Sequence, residues 1–280
     1  MFVNFGRRTE NRDHAPQPPP PCPAVKGSVI YEQPLHERMR LFMRLEVLMQ
    51  RFRHSLQQDS GPDTHHYLLT LIELINLTHR VDLKRELMKE LERQVAHFSR
   101  LAEDPGVDTR RLQEVMEQQR RLIESIHTLS GQLDQAVKGS DFFNSIRQRA
   151  AIPGGTCDFD LPAYHFWLMR PAAERRRQLE EWAAPFSVVQ EAVDLILKLV
   201  RDSGHPRELT ATQGFHEQTL DPGQPWQMIR IALPQNAPCY PEISAGRQRF
   251  NVRFLEPEDL RSRAPQCNRD VDFVLTCCAL

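Results

Sequence analysis

Apolar residues recur at two different periods along the chain, and the change from one to the other sets the fold class. From Pro34 the period is helical. Leu35, Met39, Phe42, Met49, Phe52 and Leu56 return at three- and four-residue steps, the spacing of one helix face. Pro34 suits a first helical position, where its missing N–H costs no hydrogen bond. "SGPD" breaks this helix. A second, from about Asp63 to Thr78, reads "YLLTLIELINL" through its middle and is apolar nearly all round, which predicts a buried central helix. A third opens near Asp82 and carries Leu83, Leu87, Leu91, Val95 and Phe98. "EDPGVD" ends it, and Asp108 is the expected cap of a fourth with Leu112, Met116, Ile123 and Ile126. Shorter helices are predicted at about 141–150, 161–169, 172–183 and 186–202.

After "DSGHP" the period drops to two. "ELTATQGFHE", "WQMIRIAL", "RQRFNVRFL" and "DVDFVLTCC" alternate and are separated by Pro, Gly, Asn and Asp clusters, as strands are. Helices followed by strands predict an α+β fold with a helical domain over residues 34–203 and a small antiparallel β domain over 204–280. The isolated run "SVIYE" within residues 28–33 cannot form a sheet alone and is expected to pair with the C-terminal strands. Residues 1–27, with "APQPPPPCPA", bury too little to offset ordering and read as a disordered, Pro-rich tail.

Composition narrows the function classes. The chain has 280 residues, 40% of them hydrophobic, enough for a sizeable core. No apolar run approaches the eighteen or so residues of a membrane span, and no secretory leader is visible, so a soluble cytoplasmic protein is expected. The formal charge of −1 excludes a global field for nucleic acid or an anionic membrane, so charged partners are met through local patches. Six cysteines are scattered without a CxxC pair, which fits free thiols in a reducing compartment and no metal or other cofactor.

One stretch invites a chemical reading. "IPGGTCDFDLPAYHFWL" (residues 152–168) holds a glycine pair, Cys157, two aspartates and His165. A thiol hydrolase would use Cys157 as nucleophile and His165 as base. The architectural alternative is favoured: "PGG" ends one helix, and Asp160 caps the next with Pro162 in its first turn, which puts His165 mid-helix. The terminal "CCAL" matches a prenylation signal, but the alternation Phe273, Leu275, Cys277 favours a buried strand, and no polybasic segment precedes it.

The arginines carry more weight. Arg40, Arg44 and Arg51 sit at steps of four and seven along one face of the first helix. In "RFNVRF", period two buries Phe250, Val252 and Phe254 and turns Arg249, Asn251 and Arg253 to the opposite face, with Arg247 just before them. This forms a cationic ledge, expected to be free of neighbouring carboxylates and suited to an acidic peptide.

Several segments together resemble the ZapD family, bacterial proteins that bind and cross-link filaments of the tubulin-like division protein FtsZ. They are "EQPLHERMRLFMRLEVL", "RELMKELERQ", "PGVD", "RQRAAIPGGTCDFDLPAYHFWL", "YPEIS", "RFNVRF" and "DFVLTCC", spread over roughly Ser28 to Cys278. The resemblance implies a non-catalytic homodimer at the mid-cell division ring. Its implied partner is the C-terminal tail of FtsZ, a short peptide mixing acidic and apolar residues. By similarity the tail contacts fall on Arg44, Arg80, His165, Arg249 and Arg253. Where the family can place a basic residue, this chain has Asp141.

Overall fold

The computed structural model describes residues 27–56, 59–103, 108–129, 133–246, 248–259 and 261–280, apart from the side chains of Leu56 and Arg80. Among them the order is β1 (Ser28–Pro34), α1 (Glu37–Leu56), α2 (Gly61–Arg80), α3 (Leu83–Leu101), α4 (Thr109–Thr128), α5 (Asp141–Arg149), α6 (Pro162–Leu168), α7 (Ala172–Ala183) and α8 (Phe186–Asp202). Then follow β2 (His205–Ala211), β3 (Phe215–Thr219), β4 (Trp226–Pro234), β5 (Tyr240–Ala245), β6 (Arg249–Leu255) and β7 (Val271–Ala279). The fold is α+β. The N-terminal strand does join the C-terminal ones: β1 lies antiparallel to β4, with Ser28 opposite Pro234 and Pro34 opposite Met228.

The strands make two sheets where one was expected. One is four-stranded in the order β1-β4-β7-β2; the other is three-stranded in the order β3-β6-β5. The predicted strand "ELTATQGFHE" is cut in two by a tight turn. Gln213 (φ 48°) and Gly214 (φ 69°) both lie in the left-handed region, as a two-residue hairpin turn requires. A Cβ on Gly214 would sit 2.7 Å from the Cys267 carbonyl oxygen, so glycine is the residue that fits there. The turn passes the chain from β2 in one sheet to β3 in the other.

The chain divides into two compact units. One comprises the described residues up to Leu41, those of Ser99–Arg110 and those of Leu197–Leu280. Its core lies between the sheets, with Ile229, Ile231, Leu233, Phe273 and Leu275 on one side and Phe250, Val252 and Phe254 on the other. The Phe254 and Phe273 rings stand 5.1 Å apart between centroids. On the opposite face of the four-stranded sheet, Glu32 of β1 accepts Arg201 Nε at 2.9 Å and Nη2 at 2.8 Å, and Arg230 Nε at 2.9 Å. Burial alone raises the Glu32 pKa, but the two guanidiniums outweigh it and hold the carboxyl below its ordinary value.

The other unit, Phe42–Phe98 with Arg111–Ile196, is helical. As its composition predicts, α2 is central: Tyr67, Leu68, Leu71, Leu74 and Ile75 are all buried. It starts two residues earlier than the sequence suggests, because Ser60 caps it by accepting the Asp63 N–H at 3.1 Å. Between α3 and α4 a polar pair is buried: Gln119 Nε2 donates to Gln94 Oε1 at 2.8 Å, and Gln94 Nε2 donates to Glu90 at 3.1 Å. A paired polar layer of this kind fixes the register of two helices. Arg175, also buried, donates to the carbonyls of Leu168 and Asp59 and so fastens the end of α6 to the start of α2.

Candidate partner-binding surface

The strongest site expectation was the arginine ledge, and β6 builds it by simple alternation. Phe250, Val252 and Phe254 are buried in the core, while Arg249 and Arg253 are exposed. Register then decides what surrounds them. Phe215, Glu217 and Thr219 of β3 lie opposite Arg253, Asn251 and Arg249. On the other side, Glu242 of β5 lies opposite Arg253, and Tyr240 lies opposite Leu255.

One part of the expectation is therefore corrected: the ledge is not free of carboxylates. Arg249 Nη1 is 3.8 Å from Glu217 Oε1, and Glu242 flanks Arg253. These acids come from other strands, which local reading of "RFNVRF" could not see. The face also carries two aromatics the sequence reasoning missed, Phe215 at 39% and Tyr240 at 38% exposure. A signal existed in "YPEIS", whose outward Tyr240, Glu242 and Ser244 alternate with Pro241, Ile243 and Ala245. Pro241 masked it, although proline is compatible with an edge strand. The result is a mixed surface: two cations and two exposed rings, with carboxylates beside the cations.

The remaining expected residues fall on separate elements. Arg44 is exposed on α1, beside the exposed Val47, while Arg40 pairs with Glu37 at 3.3 Å. Arg80 is the last residue of α2, and its side chain lies outside the described residues, as does Arg247 altogether. His165 is exposed on α6. Arg44, Arg80 and His165 thus belong to the helical unit, and Arg249 and Arg253 to the unit with the sheets. Asp141 opens α5, where a carboxylate complements the helix N-terminus.

The stretch from Ile152 is a turn followed by a short helix. Gly154 has φ +70°, and a Cβ on Gly155 would meet the Arg149 carbonyl oxygen at 2.6 Å. Both glycines are thus required by backbone geometry. Asp160 is not the helix cap: the cap position is Leu161, without a side-chain hydrogen bond. Asp160 is drawn away instead, facing Arg149 at 3.4 Å and accepting from Cys157 Sγ at 3.4 Å. The thiol therefore points at a carboxylate, and no hydrogen bond joins Cys157 to His165, so the dyad of a thiol hydrolase is not assembled. At the C-terminal end, Cys278 is fully buried in β7, and burial pushes its pKa up to about 12. Cys277, which the alternation had placed inward, is half-buried.

Among the described residues, no group of three or more His, Cys, Asp or Glu could hold a metal ion. No helix there is long and apolar enough to cross a membrane. In sequence, residues 43–253 match the family model for "ZapD: Cell division protein". The chain is similar to the cell division protein ZapD of Methylococcus capsulatus, with 42% identity over 256 residues, covering 91% of this chain and 100% of that protein. The proteins of the same name from Azoarcus sp. (36% over 252 residues, 90% and 100% covered) and Chromobacterium violaceum (37% over 250 residues, 89% and 99% covered) are similar over comparable lengths.

Proposed function

Because the chain belongs to the ZapD family of cell division proteins, we propose that it binds the C-terminal tail of FtsZ and cross-links FtsZ filaments, promoting assembly of the division ring at mid-cell in the cytoplasm. The role is that of a non-catalytic scaffold. The observation that carries the reading, beside family membership, is the outer face of the three-stranded sheet. There Arg253 lies in one row with Phe215 and Glu242, and Arg249 lies one strand over from Thr219 and near Glu217. A peptide that alternates acidic and apolar side chains suits that face. Its carboxylates replace Glu217 at Arg249 and meet Arg253 beside Glu242, and its apolar groups cover Phe215 and Tyr240.

Arg44 on α1, Arg80 on α2 and His165 on α6 extend the same chemistry to the helical unit, and Arg40 on α1 adds to it in the unit with the sheets. Arg44, His165, Arg249 and Arg253 are exposed, so each of these contacts is weak and binding is governed by avidity. A homodimer offers two tail sites to a filament that presents many tails, and two weak sites in series hold where one would not. The test is co-sedimentation with FtsZ filaments that carry or lack the C-terminal tail. Bundling that needs the tail supports the reading; equal bundling of tail-less filaments overturns it.

A further inference from the structure

The core between the two sheets takes a polar pair from β3. Alternation turns Phe215, Glu217 and Thr219 outward and His216 and Gln218 inward, opposite Val252 and Phe250 of β6. The half-buried His216 ring stands edge-on to Phe273, with centroids 5.4 Å apart, and lies 6.3 Å from the Phe250 ring. Its Nε2 is buried and has no hydrogen-bond partner among the described residues. Gln218 hydrogen-bonds the ring, and Gln218 Oε1 accepts Arg207 Nη2 of β2 at 3.0 Å. A titratable ring is thus set into an aromatic core behind an Arg207–Gln218 bridge.

These surroundings accept the neutral ring and oppose its proton. The inward row of β2 brings Arg207, with the exposed His205 two residues beyond it. β7 brings Phe273 and, farther along, the Cys277 thiol, which burial keeps protonated and neutral. β6 brings Val252 and Phe250, and Glu217 lies on the outer face of β3. No carboxylate is among the inward groups. A proton on the ring adds a charge that no anion meets, beside a guanidinium. Burial accordingly holds the His216 pKa below its ordinary value of 6.5; the bond to Gln218 works against this, and the Arg207 charge works with it.

We propose that His216 is a proton-operated latch beneath the ledge: neutral, it packs β3 onto the core, and protonated, it releases β3 together with Phe215 and Glu217. β3 is suited to leave by itself. It is five residues long, forms an edge of its sheet and within that sheet pairs with β6 alone. Once β3 lifts away, the ring meets water and regains its ordinary affinity for a proton. The latch is therefore fully closed above the ordinary value and weakens as pH falls through the lower folded one. Its effect on tail binding rests on the proposed scaffold role, whereas its effect on β3 does not.

Hydrogen exchange of the full chain, followed by mass spectrometry and corrected for intrinsic rates, tests the latch in the parent, His216→Phe and His216→Gln. Between about pH 7.5 and 5.5 the protection of β3 in the parent is expected to fall about two- to tenfold, tenfold being the full change in proton uptake by a solvated histidine. In both variants β3 keeps its protection across the same window, and β7 keeps its own in all three proteins. Should the phenylalanine variant not fold, the glutamine variant decides alone. Equal β3 protection of the parent at the two pH values overturns the proposal. So does a matching fall in a folded variant, or a fall in β7 as large as that in β3. A parent that shows the expected exchange but binds no fluorescent FtsZ tail peptide at either pH keeps the latch and removes only the role proposed for the ledge.

Discussion

Replacing Glu32 by glutamine tests how the N-terminal strand is held. The Glu32 side chain is 15% exposed, and those of Arg201 and Arg230 are 22% and 23% exposed. Glutamine has the same shape and keeps one acceptor oxygen, but it leaves two neighbouring guanidiniums with no anion between them. Removing one partner of a fully buried ion pair costs about 3–5 kcal/mol. Roughly a fifth of each side chain is wet, so solvent recovers part of that, and a loss of about 2–3 kcal/mol is expected. The pH dependence gives a sharper check. The folded pKa of Glu32 is lowered, so its contribution is present above the unfolded value and is lost as pH falls through the folded one. The difference between parent and Glu32→Gln is therefore full at pH 7 and shrinks below about pH 4. Urea unfolding at the two pH values measures it, with the m-value unchanged. A variant within about 0.5 kcal/mol of the parent at pH 7, or a deficit of constant size down to about pH 3, refutes the reasoning.

The double substitution Arg249→Glu with Arg253→Glu is expected to weaken FtsZ tail binding about a hundredfold, since each charge-assisted bond is worth roughly tenfold or more; a folded variant that binds within threefold of the parent counts against the ledge. Glu217→Gln releases Arg249 from its 3.8 Å partner and is expected to tighten the same peptide about two- to fivefold by fluorescence anisotropy. Cys157→Ser is expected to leave fold and bundling intact, because the thiol only donates to Asp160, and loss of bundling by a well-folded variant would reopen the chemical reading. Deleting residues 1–26 retains Gly27, whose carbonyl accepts the Gln235 N–H at 2.7 Å; unchanged co-sedimentation is expected, and a clear drop would assign that segment a second contact.

Periodicity was a good guide wherever one face of an element is buried against its own unit. The helices and the fold class were legible because a period of 3.6 or 2 is a local property, and "SVIYE", too isolated to form a sheet alone, had only the late strands to pair with. Register and sheet membership are not local. Nothing within "ELTATQGFHE" announces that its two halves serve different sheets; the turn at Gln213–Gly214 becomes necessary only when Cys267 closes over it. The carboxylates beside the ledge arrive from β3 and β5, and only cross-strand pairing reveals them. Asp160 looked like a cap by residue type, but Arg149 and Cys157 compete for its oxygens. In "AYHFWL" the pattern alone does not say which side chains the fold covers: Tyr164 and Trp167 are buried, while Phe166 is 66% exposed.

The burial of the last strand bears on how the protein can be handled. β7 lies between β4 and β2, the Leu280 side chain is only 4% exposed, and its carbonyl oxygen accepts Gln227 Nε2 at 3.2 Å. A fluorescent protein or affinity tag appended after Leu280 would have to leave from a packed position, levering at a strand that pairs with both β4 and β2. A label placed ahead of residue 27 enters instead at β1, an edge strand that pairs with β4 alone. Imaging and pull-down experiments on this chain are best designed with amino-terminal fusions, and weak localisation of a carboxy-terminal fusion would report a disturbed sheet before it reported a lost partner.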